Sequence, residues 1–267
     1  MTASTLIQDS DLEFDNGSFD AAVFAAATLA SRQALAAVID HTLLKPDATR
    51  AQIENLCDEA ICDRFACVMV NPLWAATAVS ALSGTGIPIG SVVGFPLGAS
   101  LVSTMRHEAA TLIRLGVREL DMVIPIGQLK SGNYQAVEHT VQTVAKTAHQ
   151  HGALLKVILE TALLNVEEKL RASEIAIQAG ADFIKTSTGF AAGGATAADV
   201  ALMRGVAGNR CGVKAAGGIR TLADVKALLE AGANRIGASA SVAIVRELEK
   251  QGLGNRDQGS EIRISSS

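Results

Sequence analysis

Short apolar runs alternate along the chain with longer segments in which apolar residues recur at helical spacing. The runs are rich in Val, Ile and Leu, and each helical segment ends near a glycine that precedes the next run. This alternation predicts repeated βα units. We count eight predicted strands, at residues 37–43, 66–71, 87–94, 117–124, 154–160, 183–187, 212–217 and 235–239.

Three predicted joints between a helix and the next strand are nearly identical, at residues 115–117, 179–181 and 231–233. Each places a glycine where a helix ends, as a short αβ turn requires. Strands that are apolar at nearly every position indicate a parallel sheet covered by helices. Eight such units predict a single (β/α)8 TIM barrel of the α/β class, which we assign to residues 37–250. A doubly wound sheet would carry a Gly-rich turn directly after its first strand, and no such turn is present there.

The segments outside the repeats differ from them in composition. Residues 1–36 begin polar and acidic and end Ala-rich, which predicts a partly helical N-terminal extension, while residues 251–267 predict a flexible tail. The first residues are acidic where a targeting peptide would be basic, and the apolar run at 21–30 is too short to span a bilayer. We therefore expect a cytoplasmic protein with no membrane partner.

Composition argues against two further classes of function. The chain has 23 Lys+Arg against 27 Asp+Glu, a net charge of −4 and only 3% aromatic residues, so it offers neither a basic surface nor stacking platforms for nucleic acid. Its four cysteines and five histidines lack the spacing of a zinc site or a secreted disulfide framework. We expect reduced thiols and no metal ion.

Charged residues inside otherwise apolar strands are the candidates for chemistry, because the active site of a barrel lies at the carboxyl ends of its strands. There are five in our count: Asp40, Asp121, Lys156, Lys185 and Lys214. The three lysines fall on neighbouring strands, so burial and like charge should lower the pKa of at least one of them. A neutral lysine can form a Schiff base whose iminium accepts electrons from a breaking carbon–carbon bond. The alternative is a structural ion-pair network with Asp121 and Glu160.

Two glycine-containing segments follow the last two strands, where barrels often bind phosphate. Gly217 and Gly218 lie in one of them, and Ser239 lies in the other. Glycines let the main chain approach an anion closely, and Ser239 supplies a hydroxyl where a helix begins. Taken alone, the glycine pair is also compatible with a plain turn and the serine with a helix cap.

Six ordered motifs between residues 38 and 245 resemble those of the deoxyribose-phosphate aldolase family. They read IDHTLL at 39–44, VGFPLG at 93–98, ELDMVI at 119–124, KVILET at 156–161, KTSTGF at 185–190 and KAAGGIR at 214–220. The resemblance implies a class I aldolase on a (β/α)8 barrel. It implies reversible cleavage of 2-deoxy-D-ribose 5-phosphate to acetaldehyde and D-glyceraldehyde 3-phosphate, without metal or organic cofactor.

The same resemblance implies roles for individual residues. Lys185 matches the Schiff-base lysine, with Lys214 as its cationic neighbour and Asp121 as their partner in proton transfer. Residues implied to bind or orient the substrate are Asp40, Thr42, Lys156, Thr188, Gly189, Gly217, Gly218 and Ser239. Among them, Asp40 and Thr42 would hold hydroxyl groups and Lys156 would orient Asp121.

The sequence departs from the family pattern at a few positions. Pro125 stands where Asn is common, Ala216 where many members have Ser, and the tail lacks the Tyr with which some members end. Two alternatives stay open at this point: a barrel that binds sugar phosphates without catalysis, and a class I aldolase of different specificity. We also expect a homo-oligomer, with a dimer as the first expectation.

Overall fold

The computed structural model describes residues 19–258, in which eight parallel strands close into a barrel. The strands pair in the order β1-β2-β3-β4-β5-β6-β7-β8, and β8 pairs with β1. The predicted barrel and its sequential strand order are therefore confirmed. The strands are Ile39–Leu43 (β1), Cys67–Val70 (β2), Ile89–Val93 (β3), Glu119–Val123 (β4), Leu154–Ile158 (β5), Phe183–Lys185 (β6), Gly212–Ala216 (β7) and Arg235–Ala238 (β8).

Helices separate successive strands, and two additional helices precede β1. The helices are Ala21–Thr28 (α1), Arg32–Ala36 (α2), Arg50–Asp63 (α3), Ala75–Ala81 (α4), Val102–Leu115 (α5), Ile126–Lys130 (α6), Tyr134–His149 (α7), Val166–Gln178 (α8), Ala197–Ala207 (α9), Leu222–Glu230 (α10) and Ser241–Gln258 (α11). Short 3-10 helices lie at Pro72–Trp74 and Thr161–Leu163. Within residues 19–258, none of these helices combines the length and the apolar character that crossing a membrane requires.

The segments outside the barrel are described only in part. Helices α1 and α2 form the described part of the N-terminal extension, and they pack against α10 and α11 respectively. The polar start of the extension, residues 1–18, lies outside the described residues. The tail was predicted to begin at residue 251, but α11 continues to Gln258, and the rest of the predicted tail lies outside the described residues.

Local signals in the sequence account for where the helices begin and end. The side chains of Thr49, Asn165 and Thr221 each accept a hydrogen bond from a main-chain N–H in the first turn of the helix that follows, which satisfies a donor with no partner inside the helix. At the three repeated joints the backbone is left-handed, with φ of 109° at Gly116, 97° at Gly180 and 110° at Gly232. These glycines therefore end their helices as predicted.

Apolar side chains fill the layer between the strands and the surrounding helices. Successive residues of a strand point to opposite faces, so Val68 and Val70 on β2 join this outer core while Cys67 and Met69 point into the barrel. A small apolar cluster lies inside the described part of the barrel, formed by Leu44, Cys67, Met69, Val92 and Phe95. The described interior of the barrel therefore leaves room for charged side chains.

Candidate active site

Strand register brings the charged residues of neighbouring strands side by side. Asp121 on β4 is paired with Lys156 on β5, and Lys185 on β6 is paired with Lys214 on β7. Residues paired in this way point to the same face of the sheet, so all four side chains enter the barrel. The three lysines predicted to lie on neighbouring strands do so.

Asp121 is the centre of the resulting network. Its Oδ2 accepts hydrogen bonds from Lys185 and from Lys214, each at 2.7 Å, and its Oδ1 accepts one from Lys156 at 3.2 Å. Asp40 lies beside it, with Oδ2 at 2.5 Å from the ammonium nitrogen of Lys214 and 3.6 Å from that of Lys156. Two carboxylates thus hold three ammonium groups in one cluster.

Two further charged residues complete the network on the side away from the carboxyl ends of the strands. Glu119 accepts a short hydrogen bond from Lys156 and a second one, at 3.0 Å, from the guanidinium of Arg235. The Nε atom of Arg235 also lies 3.5 Å from Oδ1 of Asp40. Sequence reasoning missed both residues although each lies inside a predicted strand, where a charge was the signal to look for.

Burial and neighbouring charges act in opposite directions on the carboxyl groups. Burial by itself raises the pKa of Asp121, but the ammonium groups of Lys156, Lys185 and Lys214 outweigh it and hold that pKa well below its usual value. For Asp40, burial is likewise outweighed, chiefly by Lys214 and Lys156, and the pKa falls to about 2. Both carboxyl groups therefore stay ionised near neutral pH.

The lysines differ in how well their charges are compensated. Burial lowers the pKa of Lys156, but Asp121, Glu119 and Asp40 outweigh it and raise that pKa well above its ordinary value. Lys185 contacts one carboxylate, that of Asp121. Burial lowers the pKa of Lys185 to about 8, with help from Lys214, and Asp121 offsets only part of that effect. Near neutral pH, an appreciable share of Lys185 is a free amine.

A cavity of about 320 Å³ opens above the network at the carboxyl ends of the strands. Of the three buried lysines, only Lys185 lines it. The wall also contains most of the residues predicted to bind substrate: Thr42, Thr188, Gly189, Gly217, Gly218 and Ser239. Asp40 and Lys156 do not line the cavity, and both have no exposed surface, so they lie beneath it and contact other charged groups.

The glycine segments form the side of the cavity where phosphate binding was predicted. Gly217 and Gly218 directly follow β7 with φ of 91° and 77°, a conformation that residues with a Cβ rarely adopt. On the neighbouring strand, Ser239 follows β8 and also lines the cavity, and it is Ser241 that begins α11. The turn and the hydroxyl group are therefore on one wall, as the pattern predicted, but Ser239 lies two positions before the helix.

Glu160 does not join the lysine network, so the alternative of a structural ion-pair network does not extend to it. Glu160 lies two residues beyond the end of β5, where its backbone is left-handed with φ of 57°, and its side chain reaches the loop after β6. There its Oε2 accepts hydrogen bonds from the hydroxyl and from the main-chain N–H of Thr188, the latter at 3.2 Å. The hydroxyl oxygen of Thr188 in turn accepts one from the N–H of Phe190 at 3.0 Å. Glu160 thereby shapes a loop that lines the cavity.

Comparison with known proteins now identifies the family. A model of the DeoC/LacD family aldolases matches residues 34–250. The chain belongs to this family. A deoxyribose-phosphate aldolase of Caldanaerobacter subterraneus subsp. tengcongensis is 52% identical over 221 residues, 82% of this chain and 96% of the relative. One from a Geobacillus strain is 52% identical over 174 residues, 65% of this chain and 78% of the relative.

A solved structure supports the same assignment for this DeoC/LacD aldolase. The deoxyribose-phosphate aldolase from Aeropyrum pernix, described as a unique tetramer, superposes with a TM-score of 0.81 at 33% sequence identity. The match covers 87% of this chain and 98% of that one. The predicted family, fold and enzyme class are confirmed.

Several residues that line the cavity of this aldolase were not among the predicted site residues, and two of them have side chains suited to contact a substrate. Lys45 lines the cavity beyond the end of β1, and Phe190 lines it from the loop after β6. Phe190 packs edge-on against Phe95, with ring centroids 5.3 Å apart. Lys45 follows the IDHTLL motif directly, so a cation just beyond a strand on the active-site side was the available signal.

The histidine and cysteine residues lie away from the cavity wall. His41 is buried and hydrogen-bonded through Nε2 to Glu59 at 2.8 Å. Cys67 points into the barrel, and burial raises the pKa of its thiol well above the ordinary value. Its Sγ and the carboxylates of Asp40 and Glu119 lie within 4.8 Å of one another, but both carboxylates already contact ammonium or guanidinium groups. We assign no metal ion to this group.

Proposed function

We propose that this aldolase reversibly cleaves 2-deoxy-D-ribose 5-phosphate to acetaldehyde and D-glyceraldehyde 3-phosphate through a Schiff base on Lys185. The names of its relatives support the substrate. The observation that carries the mechanism is the position of Lys185: it alone among the three buried lysines lines the cavity, and burial lowers its pKa to about 8. A buried lysine with free-amine character at a cavity floor is what nucleophilic attack on a carbonyl requires.

The reaction begins with the neutral amine of Lys185 and the open-chain sugar. The amine adds to C1, and loss of water leaves an iminium there. Lys214 favours the neutral amine, because two ammonium groups on one carboxylate repel each other. The nitrogen of the iminium stays near Asp121, whose negative charge stabilises it.

The iminium then accepts the electron pair of the C2–C3 bond. As that bond breaks, the C3 hydroxyl gives its proton to the hydrogen-bonded pair of Asp121 and Lys214, directly or through a water, and D-glyceraldehyde 3-phosphate leaves. The enamine that remains on Lys185 takes up a proton at C2. Water then adds to the new iminium, acetaldehyde is released, and the amine of Lys185 is restored.

The rest of the cavity would orient the substrate. Thr188, Gly189, Gly217, Gly218 and Ser239 would surround the 5-phosphate with main-chain N–H and hydroxyl groups, and Lys45 would add a positive charge. Thr42 would contact a sugar hydroxyl. Because Asp40 is covered, we reassign it from contacting substrate to holding Lys214 in place. Lys156 is covered as well and keeps the expected role of orienting Asp121.

Reductive trapping tests the proposed nucleophile. The protein is incubated with acetaldehyde and borohydride, and its peptides are mapped by mass spectrometry. We expect an ethyl group on Lys185, and none on that peptide in the Lys185→Leu variant, which should also lack turnover while remaining folded. An adduct on Lys156 or Lys214 would reassign the nucleophile, and no adduct on any of the three in a folded sample would favour a barrel that only binds sugar phosphates.

Assays of several sugar phosphates test the substrate. Cleavage of 2-deoxyribose 5-phosphate should be faster than cleavage of phosphorylated sugars that differ at C2, since the group at C2 must fit beside Lys185. Faster cleavage of another sugar phosphate would indicate a class I aldolase of different specificity. The predicted homo-oligomer, with the dimer first, is tested separately by light scattering during size-exclusion chromatography.

A further inference from the structure

The charged network inside the barrel contains more basic groups than acidic ones. Three carboxylates, those of Asp40, Glu119 and Asp121, meet four basic side chains, those of Lys156, Lys185, Lys214 and Arg235. All seven residues are buried. Because an uncompensated buried charge is costly, the network favours the loss of one proton, and its geometry determines which group gives that proton up.

The three lysines differ in the number of carboxylates that each ammonium group contacts. Lys156 reaches three, Lys214 reaches two and Lys185 reaches one. Glu119 is responsible for the third contact of Lys156, through a short hydrogen bond. This contact compensates the charge of Lys156 from deeper in the barrel, so that Lys156 depends less on the two carboxylates it shares with the other lysines.

Glu119 and Arg235 do not line the cavity. Glu119 precedes Asp121 by two residues on β4, so both point into the barrel, with Glu119 deeper by about 6–7 Å. Arg235 is the first residue of β8 and reaches across the barrel to Glu119. Neither side chain can touch a molecule bound above Lys185, so any effect on the reaction must pass through the network.

We propose that Glu119 and Arg235 are positioning residues that act through Lys156 and Asp121 to set, in opposite directions, how well the charge of Lys185 is compensated. This inference rests on the proposed role of Lys185 as the nucleophile. It assigns a function to an ion pair that contacts no substrate. The pair determines how strongly Lys156 relies on the carboxylate of Asp121, which Lys185 also contacts.

Every element that faces Lys185 contributes to this balance. The charged or titratable groups around it are Asp40 from β1, Cys67 from β2, Glu119 and Asp121 from β4, Lys156 from β5, Lys214 from β7, Arg235 from β8, and Lys45 and Glu160 from the loops at the cavity. Cys67 is neutral near pH 7 because burial raises its pKa. Glu160 is bound to Thr188. Glu119 and Arg235 are therefore among the charges in the network that can be changed without altering a group that contacts Lys185.

Removing the negative or the positive charge of the pair should shift the pH at which Lys185 loses its proton in opposite directions. Removing the negative charge in Glu119→Gln leaves the proton on Lys185 less stable, so the free amine appears at lower pH. Removing the positive charge in Arg235→Met stabilises that proton, so the free amine appears at higher pH. The double variant removes one charge of each sign and should return close to the wild type.

The experiment measures the rate at which acetaldehyde is trapped on Lys185 by cyanoborohydride, as a function of pH. We expect the midpoint to fall by roughly 0.5–1 pH unit in Glu119→Gln and to rise by about the same amount in Arg235→Met. The surface pair formed by Glu174 and Arg210 provides matched controls, because Glu174→Gln and Arg210→Met remove the same charges outside the barrel. Neither control should move the midpoint.

The outcomes separate this inference from the proposed function. If the wild type is not trapped on Lys185, the proposed function fails and this inference fails with it. If trapping occurs but both folded variants keep the wild-type midpoint, or shift it in the same direction, only the inference is overturned. Arg235→Lys keeps the charge and should keep the wild-type midpoint. Should Glu119→Gln fail to fold, the contrast between Arg235→Lys and Arg235→Met decides the question alone.

Discussion

The lowered pKa of Lys185 gives a prediction that can be measured without any assumption about the natural substrate. Raising the pH from 6 to 11 should convert Lys185 from ammonium to free amine with a midpoint near 8, against an ordinary value of 10.5. That difference corresponds to about 3 kcal/mol between the two protonation states. The physical cause is burial, strengthened by Lys214 and only partly offset by Asp121.

The size of the effect at neutral pH follows from these two values. At pH 7 a pKa of about 8 leaves roughly 10% of the side chain as free amine, whereas a value of 10.5 leaves roughly 0.03%. The structure therefore predicts about 300-fold more reactive amine than an exposed lysine would offer. The reactivity of Lys185 should therefore rise with pH through the midpoint and level off above it.

The assay is the pH dependence of acetaldehyde trapping by cyanoborohydride, followed on the peptide that contains Lys185. Nα-acetyl-lysine treated in parallel corrects for the pH dependence of the reagent itself. A corrected midpoint between about 7 and 9 would agree with the geometry. A corrected midpoint at 10 or above would refute the argument that burial and Lys214 outweigh Asp121.

Three further predictions concern other parts of the molecule. Replacing Lys214 in Lys214→Leu should raise the midpoint of Lys185 and slow turnover at pH 7, because the neighbouring positive charge is lost; an unchanged pH profile would argue against its role. Lys45→Met should raise KM for 2-deoxyribose 5-phosphate by about three- to tenfold but leave KM for unphosphorylated 2-deoxyribose unchanged, with Lys226→Met as the surface control. Gly232→Ala should lower the free energy of unfolding by about 1–3 kcal/mol, since φ is 110° and the new Cβ would lie 2.7 Å from Arg204. Gly205→Ala, in the last turn of α9 with open space around it, should instead raise that free energy by about 0.5–1 kcal/mol, and denaturant titration compares the two.

Local patterns in the sequence determined the architecture. Apolar runs, helical spacing and recurring glycines such as Gly116 and Gly232 predicted eight βα units, because strand formation and helix termination depend on residues close together in the chain. The neighbouring positions of the three lysines followed from the strand order. The residue motifs then indicated the family, and with it Lys185, before any geometry was known.

Only the tertiary structure decided how deep each charged residue lies and which partner it meets. Asp40 was expected to hold a substrate hydroxyl, but it lies beneath the cavity, because alternation along a strand predicts that a side chain points inward but does not predict its depth in the barrel. The left-handed backbone of Glu160 sends its carboxylate to Thr188, which no alternation rule predicts.

The pairing of Glu119 with Arg235 shows the same limit most clearly. The two residues are 116 positions apart and lie on strands four and eight, so their contact exists only once the barrel has closed. Sequence patterns describe each strand against its neighbours, whereas contacts across the barrel depend on the stagger and tilt of all eight strands together. The sequence thus determined which charged groups lie on the strands, and closure of the barrel determined which of them pair and how deep in the barrel they lie.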